Sequence, residues 1–284
     1  MTIAITGATG HLGGLVIAHL LRRGTPAAEI VALVRDETKA ADLAAQGVQV
    51  RTFDYDQADA LAPALAGVDG LLLISGTAFG RRFPQHRAVI DAAIAAGVGK
   101  VVYTSAPHAD ASINPVAPEH KATEEYLAAS GVPHVILRNG WYHENYLAEL
   151  QAAAQTGTLL TAAGDGRVAS AARSDYAEAA AVVLAGEQAG GTITLTGDVA
   201  WTQADLAADL AAVLGREVQV QQVSAEEKVQ ALTAAGLDEG MAGFAAGVDQ
   251  AIAAGELGDL TGDLSRLIGH PTAPLIDTLR AGVR

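Results

Sequence analysis

Across the first half of the chain, short apolar runs rich in β-branched residues alternate with longer stretches in which apolar residues recur every three or four positions. The runs at Ile3 to Thr6, Ile30 to Val34, Val48 to Thr52, Gly70 to Ile74, Lys100 to Thr104 and His134 to Arg138 predict six strands. Between them the spacing predicts helices of about ten to fifteen residues, ending near Gly24, Gly47, Gly67, Gly97 and Gly131, which suits helix C-caps. Strands and helices in this alternation build βαβ units, so the expected fold is α/β: a Rossmann-type, doubly wound parallel sheet. Beyond Asn139 the rhythm loosens into a helix, two short strands around Thr158 to Ser170, a helix from Asp175 to Leu184 and a strand near Thr192 to Leu195. A further helix opens at Thr202, where Thr202 and Asp205 suit a first turn, and residues 216 to 284 read as mostly helical. We therefore expect a first domain over residues 1–155, with a return contribution from about 171–200, and a smaller, mostly helical lobe over 156–284. No Ser/Pro-rich linker separates them, and they are expected to share one cleft.

Composition narrows the chemistry. At 284 residues and 50% hydrophobic, the chain can bury a full core and a further small lobe. A formal charge of −14 argues against a nucleic-acid partner, whose phosphates reward a basic face. The absence of cysteine excludes disulfides, thiol catalysis and thiolate metal sites, and fits a reducing cytoplasm. No apolar run approaches the ~18 residues of a membrane span, and we expect an unexported protein. The eight histidines form neither His-x-His nor His-Glu-x-x-His, so no metal site is expected, and His19 and His134 read as packing or surface residues.

The strongest chemical signal follows the first strand. Gly7-Ala8-Thr9-Gly10-His11-Leu12-Gly13 opens an amphipathic helix carrying Leu15, Val16 and Leu20. Glycines there permit a tight turn and a close backbone approach to a pyrophosphate, and the helix N-terminus presents N–H groups to it. The first domain is thus read as NAD(P)-binding. The second strand ends in Arg35-Asp36, where an acid would bond a ribose 2′-hydroxyl and an arginine would pair with a 2′-phosphate. Arg35 comes first, which favours NADPH over NADH. Asp54 closes the third strand near an expected adenine edge, and Ser75, Gly76 and Thr77 close the fourth, where backbone would pass the cofactor.

The chain resembles the NmrA-like atypical short-chain dehydrogenase/reductases, and among them the type-2 NAD(P)H:quinone oxidoreductases. The resemblance rests on Ile5-Thr-Gly-Ala-Thr-Gly10, Val31-Ala-Leu-Val-Arg35, Leu71-Leu-Leu-Ile-Ser75 and Pro84-Gln-His-Arg87. It continues through Tyr103-Thr-Ser105, His108-Ala-Asp110, Leu137-Arg-Asn-Gly-Trp-Tyr142 and Glu144-Asn-Tyr146, then Ala163-Gly-Asp-Gly166, Trp201-Thr202 and Leu267-Ile-Gly-His-Pro271. It implies that Asn139, Gly140, Trp141, Tyr142, His143 and Glu144 close over the nicotinamide end of the cofactor, while Gly7 to Leu12, Arg35 and Ser75 to Thr77 hold the rest.

One departure is informative. Where a short-chain dehydrogenase usually offers Tyr-x-x-x-Lys, this chain offers His120-Lys-Ala-Thr-Glu124. Reducing a ketone makes an alkoxide whose conjugate acid has a pKa of roughly 16 and needs a positioned acid. A quinone yields a phenolate, of conjugate-acid pKa about 10, which solvent protonates. The expected reaction is therefore direct two-electron reduction of a quinone by NADPH, with no flavin and no metal. His120 and Tyr142 are the candidate proton donors. Phe83, His86, Trp141 and Tyr142 are the candidate aromatic slot for a flat acceptor, with ordinary core packing as the alternative for Phe83. Ser105 stands where related enzymes keep a hydroxyl near the substrate, or merely ends a strand. Two readings stay open beside the quinone: a triphenylmethane-dye reductase, and a non-catalytic NADP(H) redox sensor that reports to a protein partner. A homodimer through residues 216–284 is also open.

Overall fold

The computed structural model describes residues 1–186, 188 and 190–283. Its strands are β1 Ile3–Thr6, β2 Ile30–Val34, β3 Gln49–Thr52, β4 Gly70–Leu73, β5 Lys100–Ser105, β6 His134–Asn139, β7 Thr158–Thr161, β8 Arg167–Val168, β9 Gly191–Leu195, β10 Trp201–Thr202 and β11 Gln219–Gln222. Its helices are α1 His11–Arg22, α2 Ala41–Ala45, α3 Ala58–Ala64, α4 Arg82–Ala95, α5 Ala117–Ser130, α6 Leu147–Thr156, α7 Arg173–Ala185, α8 Gln203–Leu214, α9 Ala225–Ala234, α10 Glu239–Ala253, α11 Asp263–Ile268 and α12 Leu275–Ala281.

Two compact units form. The first gathers Met1–Ala106, Pro118–Asn139 and Arg173–Thr194; the second gathers Pro107–Ala117, Gly140–Ala172 and Leu195–Arg284. Residues 140–155, placed by the sequence reading with the first domain, cluster instead with the second, because Tyr146, Leu150 and Ala153 bury their side chains in its core.

In the first unit, seven strands lie in the order β3-β2-β1-β4-β5-β6-β9, and every pairing from β3 to β6 is parallel. β1, β2 and β4 are buried at every position, which is why they read as continuous apolar runs rather than as alternation. Ala4, Leu33, Leu71 and Val101 face one layer, packed with Leu61 of α3 and Leu65 just past it, Val89 and Ile90 of α4 and Leu127 of α5. α1 and α7 pack together and against strands of the same sheet. The chain runs outward from β1 to β3 and then restarts at β4, so the reversal point lies between β1 and β4, where ligands of open α/β sheets bind.

The second unit is less purely helical than expected. β8 pairs antiparallel with β10, and β11 pairs parallel with β7. β11, within the stretch read as helical, is mostly exposed, and its partner lies some sixty positions away in the sequence (Gln219 opposite Thr158), so no local turn signal marks it. Leu206 and Leu210 of α8, Val248 and Ile252 of α10 and Leu279 of α12 close that core. Among the described residues, no helix is long and apolar enough to cross a membrane.

Candidate cofactor site

A cavity of about 490 Å³ opens at the carboxyl ends of β1 to β4. It is lined by Gly7, Thr9, Gly10, His11, Leu12 and Gly13 after β1, by Arg35, Asp36 and Lys39 after β2, by Asp54 to Asp56 after β3, and by Ser75 to Ala78 with Gln85 after β4.

The turn after β1 is built by close backbone contact. Gly7 has φ +58°, a conformation suited to glycine, and its carbonyl accepts from the Gly10 N–H at 2.8 Å. A Cβ on Gly13 would lie 2.4 Å from that same carbonyl oxygen, so only glycine lets α1 start this near β1. Gly10 caps α1 with no side-chain hydrogen bond, and no acid occupies the first turn, which leaves the helix N-terminus to an anion. Ala8 does not line the cavity: it is wholly buried, and its N–H bonds to the Leu33 carbonyl at 3.3 Å.

At the opposite side stand Arg35 and Lys39, both exposed, and neither side chain hydrogen-bonds or ion-pairs with a described residue. The neighbouring acids are occupied. Asp36 accepts from the Thr38 N–H at 3.0 Å and the Thr38 hydroxyl at 2.6 Å, bonds that hold its carboxyl below the usual range. Glu37 accepts from the Thr52 hydroxyl at 2.6 Å. Lys39 was missed in the sequence; the signal was its position four after Arg35, on the short 3-10 turn Glu37–Ala40.

The wall after β4 is held by side chains. Ile74 N–H donates to the Thr6 hydroxyl at 2.9 Å, Ser75 N–H to the Thr104 hydroxyl at 2.9 Å, and Gly76 N–H to His86 Nε2 at 3.0 Å. Tyr55 donates to the Ile74 carbonyl at 3.2 Å, and Arg82 Nε to the Gly76 carbonyl at 2.6 Å.

Several predicted residues lie elsewhere. His86 is fully buried, with both ring nitrogens engaged, so it does not wall an acceptor slot. Phe83 stacks edge-on against Tyr126, with centroids 6.1 Å apart. His120 is buried, its Nδ1 2.7 Å from the Tyr103 hydroxyl, and burial with the nearby Arg82 charge pushes its pKa down to about 3. Neutral at ordinary pH, it is a poor proton donor. Ser105 does more than end its strand: its hydroxyl donates to Glu124 Oε1 at 2.6 Å, and Arg138 grips the same carboxylate through Nε at 3.0 Å and Nη2 at 2.6 Å.

Asn139 ends β6, and Gly140 to Glu144 belong to the second unit. That segment is stitched down by Gly140 N–H to Leu195 O at 2.8 Å, Ala171 N–H to Trp141 O at 3.1 Å and His143 N–H to Ala171 O at 2.9 Å. Tyr142 pairs with Ala171 in a parallel bridge. His143 is buried and donates through Nε2 to the Ser170 carbonyl at 3.0 Å, which occupies its ring inside that unit.

A family model described as NAD(P)H-binding matches residues 7–187. Quinone oxidoreductase 2 of Escherichia coli is 50% identical over 279 residues, 98% of this chain and 97% of that protein. The structure of the NADPH-dependent quinone oxidoreductase of Escherichia coli complexed with NADPH superposes with a TM-score of 0.96 at 48% identity, covering all of both chains. The Citrobacter sp. triphenylmethane reductase complexed with NADP(H) follows at a TM-score of 0.93 and 41% identity, over 99% of this chain and 100% of that one. With a glycine turn, an open helix N-terminus and two exposed cations around one cavity, and with these likenesses along its length, the chain belongs to the NAD(P)H-binding, NmrA-like family.

Proposed function

We propose that this protein reduces quinones to hydroquinones with NADPH in one two-electron step, without a flavin. The observation that carries the acceptor is the carboxyl end of β5 and β6. Where short-chain dehydrogenases place their donor pair, this chain has His120 and Glu124; Glu124 is ion-paired with Arg138 and accepts the hydrogen bond of the Ser105 hydroxyl, and His120 is neutral. Nothing in that network offers a proton to an alkoxide, and a quinone product of pKa about 10 needs none.

NADPH, when bound, supplies the hydride. The residues of the chain hold and orient it: the α1 N-terminus and the Gly7–Gly13 turn at the pyrophosphate, Arg35 and Lys39 at the 2′-phosphate, and Ser75 to Thr77 along the wall. Asp36 and Glu37, engaged by Thr38 and Thr52, are not free to favour a 2′-hydroxyl. Trp141 and Tyr142 are assigned to the nicotinamide end and the flat acceptor, and the same reading places the enzyme in the cytoplasm. The likeness to triphenylmethane reductase favours a dye as a second acceptor.

Steady-state loss of NADPH absorbance tests the proposal, with soluble benzoquinones and naphthoquinones run beside NADH and a triphenylmethane dye. Expected is one NADPH consumed per quinone, faster than with NADH. Tight NADPH binding with no turnover of any acceptor would replace the reductase by a redox sensor.

A further inference from the structure

The Pro84-Gln-His-Arg87 motif is not accounted for by any contact with the cavity except that of Gln85. Its histidine is fully buried, yet it is not an inert core residue, because both ring nitrogens carry directed hydrogen bonds. A backbone N–H can only donate, so the bond from Gly76 fixes His86 Nε2 as the unprotonated nitrogen. Nδ1 then carries the proton and donates to the Thr123 hydroxyl at 3.0 Å, and Thr123 donates onward to the Glu119 carbonyl at 2.8 Å. The relay is directional and complete, from the Gly76 amide through imidazole and hydroxyl to the first turn of α5.

The other polar atom of Gly76 is held from the same helix. Arg82, 4% exposed, donates Nε to the Gly76 carbonyl. Its Nη1 has no hydrogen-bond partner among the described residues and lies 3.9 Å from Glu119 Oε2. A bidentate pair with Glu119 would satisfy that nitrogen; the guanidinium is turned instead toward Gly76. Two buried side chains one helical turn apart on α4 thus clamp the N–H and the C=O of one cavity-lining glycine.

We propose that His86 and Arg82 are positioning residues for the cofactor: they fix the Gly76 peptide so that the Ser75–Thr77 wall is preformed before NADPH binds. The inference rests on the cavity being the cofactor site. Burial, with the Arg82 charge beside it, pushes the His86 pKa down to about 3, which keeps Nε2 an acceptor through the working pH range. A preformed wall lowers the ordering cost of binding and bears on affinity rather than on the chemical step.

The test is NADPH affinity by fluorescence titration, with KM and kcat for NADPH at saturating quinone. His86→Leu removes the acceptor and is expected to weaken NADPH binding about tenfold, an orphaned, half-buried N–H being the cause. KM is expected to rise by the same factor with kcat little changed. His86→Gln, whose side-chain oxygen can accept from Gly76, is expected to recover most of the affinity. Wild-type affinity in folded His86→Leu, or equal losses in the Leu and Gln variants, overturns the proposal. Should His86→Leu fail to fold, Arg82→Lys keeps the charge near Glu119 but moves the donor from the Gly76 carbonyl; unchanged NADPH affinity there overturns it too. Gly10→Val separates the two levels: it is expected to abolish NADPH binding whatever His86 does, and undiminished binding in that folded variant would sink the cavity assignment and this proposal with it.

Discussion

Asp36 stands one position past Arg35 after β2, and under the proposed function the engagement of its carboxylate bears on the choice between NADPH and NADH. Because Thr38 takes it up twice, the charge left unengaged beside the cavity is that of Arg35 and Lys39, which the proposed function assigns to the 2′-phosphate. Arg35→Ala is expected to weaken NADPH binding roughly ten- to a hundredfold, the scale of a lost charge-assisted contact, while NADH binding changes little. Lys39→Ala should do the same more mildly, since an ammonium meets phosphate as a point charge and not as a fork. Titration of each variant with both cofactors checks this, and equal losses for NADPH and NADH would refute the 2′-phosphate role. At this scale much of the site was legible. Glycine spacing after an apolar strand announces the turn, because the geometry demands glycine, and Arg35 is found by counting to the end of the second strand. Lys39, His86 and Glu124 were not legible: their roles depend on a 3-10 turn, on a loop ten residues upstream and on a neighbouring strand, none of which leaves a spacing pattern.

Elements were legible in proportion to how locally they are specified. The six predicted strands appear within one residue of their expected bounds; β1, β2 and β4, buried at every position, require unbroken apolar runs, while the edge strand β3 is exposed or half-buried throughout. Helix starts marked by a capping residue were also readable. Thr202 accepts from the Asp205 N–H, and Asp205 reaches back to the Thr202 N–H at 2.8 Å, a complete capping box for α8. Ser224 and Glu227 form the same device on α9, inside a stretch whose sequence reads only as mostly helical. The two boxes should differ in consequence. α8 buries Leu206, Ala207 and Leu210 in the core of its unit, whereas α9 buries only Lys228, ion-paired with Asp249 at 2.5 Å. Thr202→Ala is expected to cost about 1 kcal/mol of global stability and to lower the melting temperature by roughly 2–4 °C. Ser224→Ala should mainly fray its own helix and shift the calorimetric midpoint by less than half as much; equal shifts would mean that α9 melts with the core.

For the molecule as a whole, three of the buried histidines, His86, His120 and His143, bear on the acid limit of stability. Burial pushes His86 and His120 down to about 3 and His143 to about 4, each from an ordinary value near 6.5. The unfolded chain therefore binds protons below about pH 6.5 that the folded protein refuses. Stability is complete above that pH and falls as pH drops from 6.5 toward 4. Glu149 and Asp209 pull the other way, since burial raises both carboxyls, but they are two groups against three. The urea midpoint is expected to decline steadily between pH 6.5 and 4.5. His143→Gln, which keeps a donor for the Ser170 carbonyl, should make that decline shallower; a midpoint flat across this range would contradict the neutral, buried state of these rings.

The first unit is assembled from three separated stretches of chain, the last of them reaching Thr194. Its closing helix, α7, covers α1, where His19 bonds Ser174 at 3.1 Å and lies 3.5 Å from Glu178. On the ribosome, then, the nucleotide-binding half cannot be finished when its first six strands have emerged. α1 lacks its α7 partner while residues 140–172 of the other unit are being made. Completion of the first unit during synthesis thus waits for residues far beyond the Gly7–Gly13 turn, and a gene fragment stopped at Asn139 is expected to yield an unfinished sheet in place of a miniature domain.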